Sequence, residues 1–253
     1  MKNKISVVII TKNEEKNIKD CLESVKWADE IVVLDSNSTD RTVEICKAYT
    51  DQVHITDWPG FGPQKQRATD LAQNDWILSI DADERVTEAL RQQIEESLKN
   101  PGFDAYQMPR LSYLCGKPIR HGGWYPDYLV RVFNKNKAKF SEDLVHEKII
   151  VDGSIGSLSE DLIHFSYSDL DQFMHKFNIY SSLGAKNLQS KNKKSGVIKA
   201  VVRGWISFLK IYIFKKGFLD GPEGLVIGIS AFESTYYKYL KLYYLNKRQK
   251  SRD

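Results

Sequence analysis

At 253 residues, with 42% hydrophobic and 28% charged side chains, the chain has the composition of a folded protein, one large α/β domain or two small ones, and not of a disordered segment. Three cysteines, Cys21, Cys46 and Cys115, without CxxC spacing exclude a disulfide framework and a zinc knuckle and suit a reducing compartment. The net charge of +4 hides an asymmetry: residues 1–171 hold 21 Lys/Arg against 29 Asp/Glu, and residues 172–253 hold 16 against 4, so an acidic body carries a basic tail.

In chain order, MKNKISVVIITKNEE has a basic start but too short an apolar run for a signal peptide. Ile5 to Ile10 is a β-branched run that predicts a strand buried on both faces. A helix is expected next, because Ile18, Leu22 and Val25 share one face. Residues 30–35 (EIVVLD) predict a second buried strand, followed by a helix that Thr39 or Asp40 could cap. Residues 52–56 predict a third strand, 58–63 (WPGFGP) a turn-rich loop, and Gln64 to Ala72 a helix leading into the strand WILSI. Thr87 should cap a helix with Leu90, Ile94 and Leu98 on one side. Strands alternating with helices imply parallel pairing, with ligands beyond the carboxyl ends of the strands. From Phe103 onward, alternating residues suggest antiparallel or mixed strands; from about residue 170 the chain turns helical and basic. The expected division is a catalytic domain over 1–169 and a helical region over 170–253.

Three strand ends are polar: Thr11-Lys12-Asn13-Glu14, Asp35-Ser36-Asn37 and Asp81-Ala82-Asp83. Taken alone, an Asp-x-Asp before a capped helix reads as a solvated turn; two further polar ends in the same crevice favour a site. Paired carboxylates suit Mg2+ or Mn2+, which take oxygen ligands and share their shell with substrate phosphates. Such a metal would stabilise charge on a departing diphosphate. Lys65 or Arg67 could reach phosphate oxygens, and each could equally be a solvated helix residue. No GxxxxGK[ST], GxGxxG or GxSxG occurs, so a P-loop NTPase, a dinucleotide oxidoreductase and a serine hydrolase are unsupported.

SVVIITKNEEKNIKDCLESV, IVVLDSNSTDRTVEI and WILSIDADE, in this order, resemble the nucleotide-sugar domain of family-2 inverting glycosyltransferases. GFGPQKQRA, HGGWYPDYLVRVF and DLVHE resemble the branch that adds β-linked glucose to a heptose of the lipopolysaccharide inner core. The resemblance implies a GT-A-type α/β fold with a mixed, mostly parallel sheet, a UDP-sugar donor (UDP-glucose), Mg2+ or Mn2+, and a lipopolysaccharide-core or other lipid-linked acceptor. It also implies residence at the cytoplasmic face of the inner membrane. Carried over by position, Thr11, Glu14, Asp35, Ser36, Lys65 and Asp81 would bind the nucleotide sugar, and Asp83 with Asp81 the metal.

Inverting transfer needs a carboxylate to take the acceptor proton. Glu147 is the first candidate and Asp127, beside Pro126, the second; His146 would orient the base, complete the metal shell, or simply pack. His121, Trp124 and Arg131 are candidate acceptor contacts, since aromatics stack on sugars and arginine suits anionic groups; Trp124 could equally be core.

In residues 197–214, Val201, Trp205, Phe208 and Tyr212 form an apolar stripe, with Lys199, Arg203 and Lys210 on another face. Three charges argue against a spanning helix and for one lying on an anionic membrane surface. A last helix over 232–247 would align Phe232, Tyr236, Tyr239 and Tyr243. No nucleic-acid partner is expected. The rival readings are a nucleotidyltransferase, against which the acidic, glycine-free TKNEE counts, and a non-enzymatic polyanion-binding module built on the tail.

Overall fold

The computed structural model describes residues 3–141 and 147–250. The chain forms two compact units, Met1–Arg110 with Asp127–His164, and Leu111–Pro126 with Phe165–Asp253. Residues 111–126 therefore group with the C-terminal helices, where the sequence suggested one boundary after residue 169.

The first unit begins with β1 (Ile5–Thr11), α1 (Ile18–Val25), β2 (Glu30–Asp35), α2 (Thr42–Lys47), β3 (Val53–Ile55), α3 (Phe61–Leu71) and β4 (Trp76–Asp81). Every residue of β1 is buried, as its unbroken β-branched run requires. Ile5, Val7 and Ile9 enter one core with Ile18, Leu22 and Val25 of α1, while Val8 and Ile10 enter another with Ala68 and Ala72. Both faces of the sheet are thus covered. The helix α3 starts three residues earlier than its apolar pattern suggested, at Phe61, immediately after Gly60, whose φ of 119° lies outside the region open to other residues.

The chain continues through β5 (Glu84–Val86), α4 (Glu88–Ser97), β6 (Ala105–Leu114), β7 (Lys117–Pro118), β8 (Asp127–Asn134), β9 (Ala138–Phe140), β10 (Ile149–Val151), β11 (Ile155–Ser157) and β12 (Leu162–Tyr167). The main sheet runs β3-β2-β1-β4-β8-β6-β12-β5. It is parallel from β3 to β4 and antiparallel across β4-β8 and β8-β6. This is the α/β class expected, a mixed sheet flanked by helices. Thr87 caps α4 by accepting from Leu90 N at 3.1 Å, and Leu90, Ile94 and Leu98 are buried, as expected. Glu84 does not serve that helix: it lies in β5, pairs with His164 of β12 and is fully buried.

The second unit contains α5 (Leu170–Ser190), α6 (Val197–Leu209), a π-helical turn (Lys210–Phe214), a 3-10 turn (Gly217–Asp220) and α7 (Gly221–Lys250). α7 begins eleven residues before its aromatic stripe suggested, with Pro222 in the first turn, where its missing N–H costs nothing. Lys241 of α7 donates to Asn178 Oδ1 and to the hydroxyls of Ser181 and Ser182 on α5, each at 2.8 Å. Burial there pushes its ammonium below the usual lysine range.

The face α6 turns inward differs from the one its sequence suggested. Ala200 and Gly204 are buried, and a Cβ on Gly204 would stand 3.0 Å from the ring of Phe232 on α7. Phe208 and Tyr212 lie against Gly228 of α7, and Trp205 sits edge-on to Phe208 and Phe232 with ring centroids 5.7 and 5.2 Å away. The small residues decide the packing face because they allow the closest approach of two helices. The apolar side chains left exposed include Ile198 (81%), Val202, Ile206, Leu209, Ile213 and Phe214 (78%), and also Val201 and Trp205 of the expected stripe.

Candidate active site

The parallel register brings the polar strand ends together. Thr11 pairs with Asp35 and Ile10 with Asp81, so β1, β2 and β4 end side by side. A cleft of about 390 Å³ opens beyond them, lined by Thr11, Lys12 and Glu14 after β1, by Asp81 and Asp83 after β4, and by His164 of β12. Trp58, on the loop after β3, and Phe61, the first residue of α3, line it too; they meet edge-on at 4.8 Å and remain 41% and 43% exposed.

Asp35 is buried and accepts from the N–H and the hydroxyl of Ser38. Ser36 accepts from Gln64 Nε2 at 3.0 Å, so α3 is tied to the end of β2. Glu14 accepts from Asn17 Nδ2 at 2.8 Å while its N–H donates to Thr42 Oγ1. The buried Thr11 Oγ1 has no hydrogen-bond partner among the described residues, which suits a hydroxyl kept for a ligand in the cleft.

Around Asp81, charges of opposite sign alternate. Lys65 Nζ contacts Asp81 and Glu147 at 2.8 Å each. Arg131 Nη2 contacts Asp81 at 2.9 Å and Glu84 at 2.6 Å. Arg110 contacts Glu84 at 3.5 Å and Asp127 at 2.7 Å. Burial alone would raise the pKa of Asp81, but the adjacent Lys65 and Arg131 outweigh it and hold the carboxyl well below the usual range. Burial likewise opposes the charge on Arg131, and Glu84 and Asp81 more than restore it.

Asp83 stands outside this chain, with Oδ2 3.3 Å from His164 Nε2. Among the described residues no cluster of three or more His, Cys, Asp or Glu side chains is placed to hold a metal. The Asp83 carboxylate nevertheless suits Mg2+ or Mn2+, which take oxygen ligands and keep most of their shell for water and substrate phosphates. Asp81 is engaged by two cations, and Asp83 and His164 stand side by side on the cleft.

The sequence candidates therefore separate. The first unit places Thr11, Glu14, Asp81 and Asp83 on the cleft, Lys65 against Asp81, and Glu147 on the same Lys65 ammonium; Asp35 and Ser36 sit at the adjoining strand end. Arg131, read as an acceptor contact, is 6% exposed and has both partners inside the protein; its place is beneath the acidic turn. Asp127 is held by Arg110, and Arg67 is an exposed partner of Asp57 at 2.7 Å. His121 and Trp124 belong to the second unit. There His121 Nδ1 lies 2.8 Å from Asp220, and Trp124 packs with Tyr167 and Phe173 at 6.0 and 6.2 Å. His146 lies outside the described residues. Sequence reasoning missed His164, Glu84, Trp58 and Phe61; only the aromatic content of the Gly/Pro loop 58–63 hinted at the last two.

The profile of glycosyl transferase family 2 matches residues 6–153. An uncharacterized glycosyltransferase of Rickettsia typhi is 31% identical, over 98% of this chain and 89% of its own. A lipopolysaccharide core biosynthesis glycosyltransferase, LpsC, of Rhizobium meliloti is 29% identical over 93% of each chain. Among solved structures, Staphylococcus aureus TarS 1-349 in complex with UDP aligns over 97% of this chain and 92% of that one, with a TM-score of 0.48 and 15% identity.

Proposed function

The chain belongs to glycosyl transferase family 2, and we propose that it transfers glucose from UDP-glucose to a heptose of a lipopolysaccharide core, with inversion and with the help of Mg2+ or Mn2+. It is a glycosyltransferase of GT-A-type α/β fold, which sets aside the nucleotidyltransferase and polyanion-binding readings. The observation that carries the finer reading is the meeting of Asp81, Asp83 and His164 at one cleft, with Lys65 behind Asp81 and Glu147 on the same lysine. The relative named for lipopolysaccharide core biosynthesis supports the class of acceptor.

In this reading Thr11 and Glu14 contact the nucleoside, beside the end of β2 that carries Asp35 and Ser36. Asp83, with His164 beside it, would hold the divalent cation, which when bound would neutralise charge on the diphosphate. Lys65 sits beside Asp81 as a fixed positive charge near the leaving group. Glu147 takes the proton of the acceptor hydroxyl as its oxygen bonds to the anomeric carbon and the bond from that carbon to the diphosphate breaks, releasing UDP; one displacement inverts the centre. Lys65 keeps Glu147 in place at 2.8 Å.

The second unit fits attachment to an anionic membrane. No helix among the described residues is long and apolar enough to cross a bilayer. The exposed apolar side of α6, with Lys199, Lys210, Lys215 and Lys216 in the same stretch of chain, suits a helix lying in the interface, where a lipid-borne acceptor would be met.

The test is a panel of radiolabelled UDP-sugars incubated with Mg2+ or Mn2+, with and without truncated lipopolysaccharide. Glucose transfer that needs both metal and heptose-terminated acceptor is expected. Absence of UDP release and transfer with every donor, from folded protein, overturns the reading.

A further inference from the structure

Glu84 is the most deeply buried charge of the site, with no solvent exposure. It accepts the N–H of Asp81 at 3.0 Å and Arg131 Nη2 at 2.6 Å, with Arg110 Nη1 at 3.5 Å. Its side chain therefore closes the four-residue turn from Asp81 to Glu84, which carries both cleft carboxylates. An ionised carboxylate away from water is costly even when paired, and an apolar residue would fill the same space at lower cost. An apolar residue would neither close the turn nor share Arg131 with Asp81.

We propose that Glu84 is a positioning residue for the cation-binding turn: it fixes the backbone between Asp81 and Asp83 and shares Arg131 with Asp81, so that the turn keeps a negative field toward the cleft. The inference rests on the reading of Asp83 and His164 as the groups that hold the metal. The charges give it content. In the alternating chain, the three cations Lys65, Arg131 and Arg110 face the four carboxylates Glu147, Asp81, Glu84 and Asp127, a net charge of 3 − 4 = −1. Glu84→Gln brings that sum to zero and leaves Arg131 with Asp81 as its one carboxylate partner, while the amide oxygen can still accept from Asp81 N–H. Adding Arg131→Met removes the stranded guanidinium and returns the sum to 2 − 3 = −1. Charge and shape are thereby separated.

The experiment measures Mn2+ binding to the full chain without donor, by the EPR signal of the free ion, alongside thermal unfolding of the metal-free protein. Glu84→Gln is expected to weaken Mn2+ binding about tenfold to a hundredfold, the usual effect of losing an outer partner of a metal ligand. The double variant Glu84→Gln/Arg131→Met is expected to recover most of that loss, although each buried change lowers the unfolding temperature. Wild-type Mn2+ affinity in folded Glu84→Gln, or no recovery in the double variant, overturns the proposal and reduces Glu84 to a stabilising residue. Should Glu84→Gln not fold, Glu84→Asp, which keeps the charge but withdraws it by one methylene, replaces it, and unchanged affinity there is equally fatal. A wild-type chain that binds no Mn2+, or an Asp83→Ala variant that binds it normally, removes the metal reading itself and the proposal with it.

Discussion

In the first unit charge is taken inside: Lys65, Arg131 and Glu84 are buried and held by one another and by Asp81. In the second, apolar surface is left outside: Ile198, Ile206 and Phe214 stand in solvent on α6 and the turn after it. Both arrangements run against the ordinary partition of side chains. Buried ions lose hydration, and exposed hydrocarbon orders water around it. Neither is needed to build a sheet or a helix pair, because the cores of both units are complete without them. In the proposed function both serve a third party, a small, densely charged ligand for the first region and an extended apolar phase for the second.

The comparison breaks first at Asp83. Asp83→Ala is expected to lower glucose transfer at least a hundredfold without changing the circular dichroism spectrum, the scale of effect of removing one group that stabilises developing charge. Unaltered UDP release would show that Asp83 takes no part in the transfer. Next, Glu147→Gln should cost about a hundredfold or more in kcat with donor binding retained, and Asp127→Asn much less, because Glu147 shares Lys65 with Asp81 whereas Asp127 is held farther along the chain. The reverse order in steady-state kinetics would make Asp127 the base.

For the second region, Ile198→Ser/Ile206→Ser/Phe214→Ser should reduce sedimentation with anionic liposomes about tenfold at low salt and leave the unfolding temperature nearly unchanged, since exposed sites contribute little to stability. Equal sedimentation of variant and wild type would detach the apolar face from any membrane role.

The smallest effect concerns acid. Because Lys65 and Arg131 hold the Asp81 carboxyl well below the unfolded value of about 3.9, the native chain binds fewer protons there than the unfolded one. That stability is present above about pH 4 and is lost as the pH falls from there toward the folded pKa. In thermal melts from about pH 5 to 2, the wild type should therefore lose stability more steeply than Asp81→Asn; parallel curves would show that the ion pairs carry no net stabilisation.

Much of this site was legible in the chain because its geometry is short-range. Strands that must be buried on both faces read as unbroken runs, and the residues ending them fall at the sheet's edge by construction, which is why Thr11, Asp35 and Asp81 could be grouped beforehand. Glu84 could not be placed, because its meaning lies in Arg131 and Arg110, 47 and 26 residues away. His164 escaped for the same reason: β12 comes beside β5 only after the chain has passed through six intervening strands. On α6 two apolar faces were present: the sequence pattern set Val201, Trp205, Phe208 and Tyr212 toward the membrane, and in the structure Val201 and Trp205 are exposed while Phe208 and Tyr212 lie against α7. The signal that decides between them was the small pair Ala200 and Gly204, which mark where α7 approaches, and hydropathy alone gives such residues no weight.

The pairing of Thr11 with Asp35 and of Ile10 with Asp81 also bears on how such an enzyme could change. The donor half of the site is spelled out by strand lengths, so inserting or deleting one residue within β1 or β4 would turn a whole row of side chains over and move the carboxylate to the opposite face. The loop 56–60, outside that ladder, has no such constraint and can lengthen or exchange residues with little penalty. Inheritance should therefore keep the cation-binding turn nearly frozen while the loops drift, and a laboratory search for new sugar preferences has more to gain from randomising Trp58 to Phe61 than from touching the strand ends.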